Sequence, residues 1–243
     1  MEIEKERLSG NIFLPKWIWI EHDSRYEFAS KFAKNKITID CACGSGVGTA
    51  LFSKEAFSVH AFDVSEVALA EARKKCESNN VTLELASGTK LPIINEFADT
   101  YISLETIEHI TEDEDFVKEV SRVLKNGGSF ICSTPNRSVT NPGKKLEDKP
   151  ANEFHVREYS EKEFTDLLKK YFGKVEIFGQ NPNSSEKTAL MNLLGKLLPL
   201  NLATRLHQAM KLLLHFFRKN SYYSVQAKKN GFEYEYLTAV CIK

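Results

Sequence analysis

The sequence predicts an α/β fold with a seven-stranded, mostly parallel sheet, helices on both faces and a helical insertion before the last strand. Segments of β-branched and apolar residues alternate with helical patterns through the first three quarters of the 243-residue chain, as in a parallel sheet covered by helices. A glycine-rich turn joins the first predicted strand to a helix. A long helical segment, rather than a tight turn, separates the last two predicted strands.

The individual elements follow in chain order. Strands are predicted near residues 38–41, 59–62, 82–85, 100–103, 129–133, 174–178 and 234–242. Helices fit residues 48–54, 66–79, 111–124 and 161–171. Ser65, Thr111 and Ser160 stand at or just before three helix starts, and their side chains are of the type that caps helix N-termini.

The pattern divides the chain into four segments. Residues 1–36 are expected to form an N-terminal helical cap, and residues 37–180 the core. Residues 181–231 are the insertion, and residues 232–243 supply the final strand of the core. Residues 138–152 are polar and contain two prolines, so they predict a loop beyond the carboxyl edge of the sheet, where loops commonly face ligands.

Charge is distributed unevenly although the formal net charge is zero. The segment 187–229 has no acidic residue, and its basic residues are Lys187, Lys196, Arg205, Lys211, Arg218, Lys219, Lys228 and Lys229. Leucine-rich helical patterns with basic polar sides are typical of interfacial helices. Peripheral membrane contact through residues 188–219 is therefore one interpretation; a lid over a substrate pocket and a homodimer surface are the others.

The N-terminal region and the hydropathy pattern do not indicate export or membrane insertion. The first ten residues, MEIEKERLSG, are charged and lack the apolar stretch of a signal peptide. No run approaches the roughly 20 apolar residues of a membrane span. We expect a cytoplasmic protein, with peripheral contact at the inner face of the membrane if the basic segment binds lipid.

The segment DCACGSGVG, from Asp40 to Gly48, carries the strongest local signal. Glycines at positions 44 and 46 let the backbone turn tightly beneath an adenosine-containing cofactor. Asp63 ends the next predicted strand about 20 residues further on, where a carboxylate can accept hydrogen bonds from both ribose hydroxyls. The spacing G-S-G-V-G does not place the third glycine at the distance found in the dinucleotide motif G-x-G-x-x-G, so the core is Rossmann-like without an indicated pyrophosphate site.

In these motifs the sequence resembles the class I S-adenosylmethionine-dependent methyltransferases. Their first motif is typically V-L-D-x-G-C-G-x-G, and this chain reads I-T-I-D-C-A-C-G-S-G. SLETIEHI, from Ser103, is similar to the family segment after the fourth strand, and LKNGG, from Leu124, to its L-K-P-G-G turn. The resemblance covers about residues 37–180 and implies an S-adenosylmethionine cofactor and an S-adenosylhomocysteine product.

The resemblance also implies which residues bind the cofactor. They are Arg25, Asp40, Gly44, Gly46, Asp63, Val64, Ser87, Gly88, Leu104 and Glu105. Ala42 replaces a common glycine, and Ser87 stands where many relatives have an aspartate that contacts adenine, so its hydroxyl or backbone groups would take that contact. By similarity to the quinone-type branch, Arg25 is expected to pair with the methionine carboxylate; a solvated helix arginine is the alternative.

Two histidines are candidates for a catalytic base. A sugar hydroxyl is a poor nucleophile at neutral pH and benefits from a general base, for which histidine is well suited. His109 follows the fourth predicted strand, and related sugar methyltransferases carry a histidine in a similar place. His155, in the polar segment after the fifth strand, is the second candidate. Alternatively, Glu108 and His109 only form hydrogen bonds within the protein. No metal-ligand cluster is visible in the sequence.

The acceptor is indicated only by the flanking segments. Residues 21–29 and 152–159 look like methyltransferases found among surface-polysaccharide enzymes. This favours O-methylation of a saccharide or lipid-linked sugar of the cell envelope; a small quinone-like metabolite is the alternative acceptor. A hypothesis from a different functional class is that the protein is a non-catalytic adaptor, which binds membrane or nucleic acid through the basic insertion. No aromatic stacking module accompanies the basic charge, so nucleic acid is not expected.

Overall fold

The computed structural model of the chain describes residues 16–186, 189, 193 and 220–243. Its strands are β1 (Ile37–Cys41), β2 (Ser58–Asp63), β3 (Val81–Leu85), β4 (Ala98–Leu104), β5 (Leu124–Pro135), β6 (Lys174–Ser184), β7 (Gln226–Ala227) and β8 (Phe232–Ile242). Its helices are α1 (Lys16–Ala33), α2 (Val47–Phe52), α3 (Glu66–Lys75), α4 (Asp113–Val123), α5 (Arg137–Thr140) and α6 (Glu161–Lys169). The α/β class predicted from the sequence is confirmed.

All eight strands belong to one sheet in the order β3-β2-β1-β4-β5-β8-β6-β7. The five strands from β3 to β5 are parallel, and β8 lies antiparallel between β5 and β6. The chain leaves β1 toward β2 on one side, and β4 pairs with β1 on the other side. Such a reversal of strand order opens a crevice beyond the carboxyl ends of the strands, where α/β proteins bind ligands.

The predicted strand count of seven is wrong. The extra strand, β7, has only two residues and pairs antiparallel with Phe178 and Gly179 of β6. A two-residue strand cannot show an alternating pattern, so no sequence signal marked it. β6 also continues to Ser184, four residues into the segment expected as the insertion, because its outer part pairs with the start of β8.

The two helical patterns predicted in the insertion, at 188–198 and 202–217, lie outside the described residues except at positions 189 and 193. The same holds for most of the segment 188–219 that was expected to contact membrane. Within the described ranges, no helix combines the length and the apolar character that crossing a bilayer requires.

Helix starts follow the predicted caps in two cases of three. Ser65 caps α3, and Ser160 forms a capping box with Glu163 at the start of α6, an arrangement that stabilises a helix by about 1 kcal/mol. The cap predicted at Thr111 is wrong, because α4 begins at Asp113 without a side-chain cap. The Thr111 carbonyl instead accepts a hydrogen bond from Arg157.

Apolar side chains cover both faces of the sheet. On one face α1 and α2 bury Ala29 and Phe52 against the strands, together with Ala33, Val59, Ile102 and Ile131. On the other face α4 and α6 bury a larger cluster that includes Phe116, Phe130 and Phe164. Each buried aromatic ring contributes about 1.5–3 kcal/mol through removal of apolar surface from water. The packed sheet therefore holds the loops at its carboxyl edge in fixed positions.

Candidate active site

A cavity of about 630 Å³ opens at the carboxyl edge of β1, β2 and β4. The turn after β1, the ends of β2 and β4, the loop after β3, one side of α1 and the segment near residue 154 form its walls. The sequence-predicted residues in this lining are Arg25, Gly44, Asp63, Val64, Ser87, Gly88, Leu104, Glu105, His109 and His155. Asp40 and Gly46 were also predicted to bind the cofactor, but they do not line the cavity. Their contacts lie within the protein.

The glycine-rich turn uses its two predicted glycines for different reasons. Gly44 has a φ of +54°, and a Cβ there would meet no atom of the described residues within 4 Å, so a ligand can lie directly against this backbone. Gly46 has a φ of +79°, and a Cβ would come within 2.8 Å of the Ala72 Cβ on α3. Packing against α3, rather than ligand approach, therefore requires Gly46. Ala42 also adopts a left-handed conformation, with a φ of +60°.

Asp63 connects the turn to the end of β2. Its Oδ2 accepts a hydrogen bond from the Gly44 amide at 2.8 Å, and its Oδ1 accepts one from the Ser65 amide at 2.9 Å. The side chain is therefore held in one orientation at the cavity wall. Because a carboxylate oxygen accepts more than one hydrogen bond, Asp63 can join this turn to a pair of ligand hydroxyls.

Asp40 lies behind the turn and supports it. Its Oδ2 accepts a hydrogen bond from the Thr49 hydroxyl at 2.5 Å, and the side chain is buried. Burial raises the pKa of Asp40 to about 7; the Thr49 hydrogen bond opposes this shift, and the Asp63 charge adds to it. The residue thus positions the start of α2 and lines no part of the cavity.

We expect Asp40→Asn to flatten the pH dependence of stability. The folded wild type holds the Asp40 proton up to about pH 7, whereas the unfolded chain releases it near the ordinary pKa of 3.8. The folded state therefore binds more protons between these values, and its free energy of unfolding falls as pH rises, by about 4 kcal/mol at most. Asparagine keeps an acceptor for Thr49. Urea unfolding at about pH 5 and about pH 8 tests this, and equal pH dependence in both proteins would contradict it.

Arg25 projects from α1 into the base of the cavity. Its side chain is 1% exposed, and its guanidinium donates to the Gln180 Oε1 at 2.5 Å and lies 4.6 Å from the centre of the Tyr236 ring. The Nε lies 3.8 Å from the Glu105 Oε1, and none of the described residues accepts a hydrogen bond from it. The alternative of a solvated arginine is therefore wrong. Pairing with a methionine carboxylate stays a prediction.

Leu104 and Glu105 bring the end of β4 to the cavity. Glu105 has a φ of +52°, a conformation that costs a non-glycine residue on the order of 1–3 kcal/mol. Ser133 of β5 holds it there, because its carbonyl accepts from the Glu105 amide at 3.1 Å and its hydroxyl donates to the Glu105 Oε1 at 2.7 Å. A residue that is held in a strained backbone conformation by two hydrogen bonds, at the wall of a cavity, is typical of a functional site.

Ser87 and Gly88 form the wall that follows β3. The Ser87 hydroxyl shares a hydrogen bond of 2.8 Å with the Thr89 hydroxyl. A Cβ at Gly88 would lie 2.8 Å from the Cys41 Sγ, so packing on β1 requires a glycine there. The exposed neighbour Val64, at the end of β2, completes this side of the cavity.

His109 ends a single 3₁₀ turn, Ile107–His109, directly after β4. Its Nδ1 lies 3.0 Å from the Phe154 carbonyl oxygen. A carbonyl only accepts, so Nδ1 carries a proton, and the neutral ring has its lone pair on Nε2. The side chain is 33% exposed, and Nε2 lies 4.0 Å from the Glu108 Oε1.

His155 packs edge-on against His109, with 4.9 Å between the ring centres. Its Nδ1 lies 2.7 Å from the Glu158 Oε1, and its Nε2 lies 3.0 Å from the Asn152 Nδ2. The Asn152 Oδ1 accepts from the Phe154 amide, which directs the amide NH₂ toward His155. Both ring nitrogens of His155 therefore form hydrogen bonds within the protein.

Glu108 lies beneath the two histidines and is fully buried. Its Oε2 accepts a hydrogen bond from the Thr134 hydroxyl at 2.9 Å, whereas its Oε1 has no hydrogen-bond partner in the part of the chain that the structure describes. Burial and the nearby Glu105 charge raise the pKa of Glu108. One ligand atom each from Glu108, His109 and His155 lies within 4.8 Å of the others. Sequence spacing revealed no such group, because His155 is distant along the chain.

Sequence reasoning missed several residues that line the cavity. Trp19, His22 and Tyr26 reach it from α1, Phe154 from the segment before α6, and Tyr236 from β8. The segment 21–29 carried a resemblance that included His22 and Tyr26, so a weak signal existed for these two. Nothing local marks Tyr236, because its place in the wall depends on the antiparallel pairing of β8 with β5.

The chain is similar in sequence to known methyltransferases. Residues 39–132 match the family described as a methyltransferase domain. A probable S-adenosylmethionine-dependent methyltransferase of Mycolicibacterium smegmatis is 32% identical over 60% of this chain and 55% of its own length. A ubiquinone/menaquinone biosynthesis C-methyltransferase of Caulobacter vibrioides is 27% identical over 46% of this chain and 49% of its own. The chain thus spans about half the length of the relatives it matches.

A solved structure agrees with the fold. The YcgJ protein of Bacillus subtilis superposes with a TM-score of 0.61, over 91% of this chain and 99% of that one. Its sequence is 16% identical, so the likeness supports the fold alone. The family match, residues 39–132, includes the glycine-rich turn, Asp63 and the end of β4. All three border the cavity.

Proposed function

We propose that this chain is an S-adenosylmethionine-dependent methyltransferase that O-methylates a hydroxyl group of a saccharide or lipid-linked sugar of the cell envelope. The match of residues 39–132 to the methyltransferase-domain family and the similarity to S-adenosylmethionine-dependent relatives support the cofactor and the reaction class. One observation carries the proposal. Gly44 and Asp63, which we propose to bind the cofactor, line the same cavity as His109 and His155. A cofactor and a hydroxyl acceptor would therefore meet inside it.

The cofactor wall fits S-adenosylmethionine. The space at Gly44 would admit an adenosyl group against the backbone, and Asp63, fixed by the Gly44 amide, would accept hydrogen bonds from the ribose hydroxyls. Val64, Ser87 and Gly88 would enclose the adenine, and Leu104 and Glu105 line the same cavity. The buried Arg25 Nε, which lacks an acceptor among the described residues, supplies a donor for the methionine carboxylate. The cofactor, when bound, supplies a methyl group on a positively charged sulfur.

His109 serves as the general base in this proposal. The Phe154 carbonyl fixes the Nδ1 proton, so the neutral ring accepts the hydroxyl proton at Nε2. His155 supports the His109 ring from the side, and Glu158 and Asn152 hold His155 in turn. The methyl group is already activated, so the remaining task of the protein is to align the acceptor and exclude water.

The wall near His109 suits a polar acceptor. Thr106, Thr111, Glu112 and Asn152 line the cavity with hydroxyl, carboxylate and amide groups that can bond sugar hydroxyls. The basic segment 187–229 would favour an anionic, lipid-linked acceptor at the inner face of the membrane. Membrane contact, a cytoplasmic location and a homodimer remain parts of this proposal.

A quinone-like acceptor is the second candidate. Trp19, Ile110 and Phe154 give the same cavity apolar surfaces, and the Caulobacter relative is named for quinone biosynthesis. Methyl transfer from labelled S-adenosylmethionine to nucleotide sugars, lipid-linked sugars and hydroxylated quinones separates the candidates. Labelled sugar supports the first, and labelled quinone alone supports the second. Cofactor binding without transfer to either class would overturn both acceptor assignments.

A further inference from the structure

We propose that Glu108, His109 and His155 bind a divalent transition-metal ion, such as Mn²⁺, that holds the acceptor hydroxyl. The inference rests on the proposed function for the role of the ion, although not for its binding, and it makes His109 a metal ligand in place of the general base. Ligand atoms of the three residues lie within 4.8 Å of one another. Two imidazoles and one carboxylate suit first-row divalent metals and leave coordination positions open.

The outer contacts of both histidines are those of metal ligands. The Nδ1 of His109 is held by the Phe154 carbonyl at 3.0 Å, and the Nδ1 of His155 by the Glu158 carboxylate at 2.7 Å. Metal-binding histidines commonly donate one ring N–H to a backbone carbonyl or a carboxylate, which fixes the tautomer and directs the other nitrogen to the metal. Both rings are thus prepared to coordinate through Nε2.

Glu108 supplies an independent observation. The side chain is 0% exposed, its Oε2 is held by the Thr134 hydroxyl, and its Oε1 has no hydrogen-bond partner among the residues described. That oxygen lies 4.0 Å from the His109 Nε2. A buried carboxylate oxygen without a donor is costly, and an ion between Glu108 and the histidines would satisfy it.

Modest side-chain movement would complete the site. Ligand atoms bound at about 2.1 Å to one ion lie roughly 3–3.5 Å apart, so the three atoms must approach by about 1 Å. His155 would exchange its contact with the Asn152 Nδ2 for the ion. His109 is 33% exposed toward the cavity, so an ion and an acceptor hydroxyl can both reach it.

The bound ion changes how the acceptor loses its proton. The acceptor hydroxyl coordinates the ion, which lowers the hydroxyl pKa, and its proton passes to water. The oxygen then forms a bond to the methyl carbon as the methyl–sulfur bond breaks, releasing S-adenosylhomocysteine. In this form His109 is a ligand rather than the base.

Titration of the chelator-treated full chain with Mn²⁺, followed by calorimetry and electron paramagnetic resonance, tests the site. We expect one Mn²⁺ per chain, and affinity reduced by about tenfold or more in Glu108→Gln and His109→Gln. His60→Gln is the matched control, because His60 bonds Ser58 and Thr82 away from the cavity. Circular dichroism of the same samples shows that each variant is folded, and S-adenosylhomocysteine titration measures their cofactor affinity.

The outcomes separate the two proposals. No Mn²⁺ binding by a wild type that binds S-adenosylhomocysteine would overturn the metal site and leave the methyltransferase assignment in place. Equal Mn²⁺ affinity in the wild type and in folded His109→Gln would also overturn the metal site. Mn²⁺ binding lost in His109→Gln, in a chain that binds no S-adenosylhomocysteine, would support the metal site and overturn the proposed function.

Discussion

Asp63→Ala is expected to lower the affinity for S-adenosylhomocysteine by about 100-fold or more. The carboxylate would form two charge-assisted hydrogen bonds to the ribose hydroxyls, each contributing about 1.5–3 kcal/mol. The same change removes the acceptor of the Gly44 and Ser65 amides, so the glycine-rich turn at the cavity wall also loses its support. Calorimetric titration of the two proteins under identical conditions measures the loss.

Asp99→Ala is the matched control for this experiment. Asp99 also accepts a backbone hydrogen bond, from the Ile37 amide at 2.9 Å, and pairs with Lys125. It lies outside the cavity lining, so its loss should lower stability while cofactor affinity stays unchanged. Asp63→Asn separates the two roles of Asp63, because an amide oxygen can still accept from Gly44 without the negative charge. Wild-type affinity in Asp63→Ala would remove Asp63 from the cofactor site.

The wall that we propose to bind the cofactor could be predicted from the sequence because its residues lie close together along the chain or at the ends of adjacent strands. Gly44 belongs to one short turn between adjacent elements, and Asp63 ends the neighbouring parallel strand. Parallel strands bring their carboxyl ends to one edge of the sheet, so the order of motifs along the chain fixes their proximity. Even here the sequence assigned Gly46 to the ligand, whereas packing on Ala72 of α3 requires it. A glycine pattern indicates that there is no room for a side chain, but it does not show whether a ligand or a neighbouring helix takes up that space.

The other side of the cavity, which includes Arg25, Glu108 and His155, is formed by contacts between distant parts of the chain. Arg25 is placed by Gln180 and Tyr236, more than 150 residues away along the chain. The pairing of β8 with β5 and β6 brings these residues together, and no local pattern encodes it. The convergence of Glu108 with His155 likewise depends on the loop before α6. For this reason the candidate bases were found individually, whereas their arrangement was not.

His109→Gln is expected to lower kcat by about 10²–10⁴-fold and to leave S-adenosylhomocysteine affinity nearly unchanged. His109 lies at the acceptor side of the cavity, held by the Phe154 carbonyl, and glutamine cannot take up the hydroxyl proton. His60→Gln should retain wild-type kcat, because His60 lies outside the cavity lining. Steady-state kinetics with the acceptor found in the transfer screen gives the measurement, and unchanged kcat in His109→Gln would remove this residue from the mechanism.

The chelated wild type distinguishes the two ways in which His109 can act. If His109 accepts the proton directly, the chelated enzyme keeps its activity, and only His109→Gln loses activity. If His109 holds an ion with Glu108 and His155, the chelated wild type falls to the level of the variant, and Mn²⁺ restores the wild type alone. The Oε1 of Glu108, buried without a hydrogen-bond donor among the described residues, favours the second result, because a base acting alone would leave that oxygen unsatisfied.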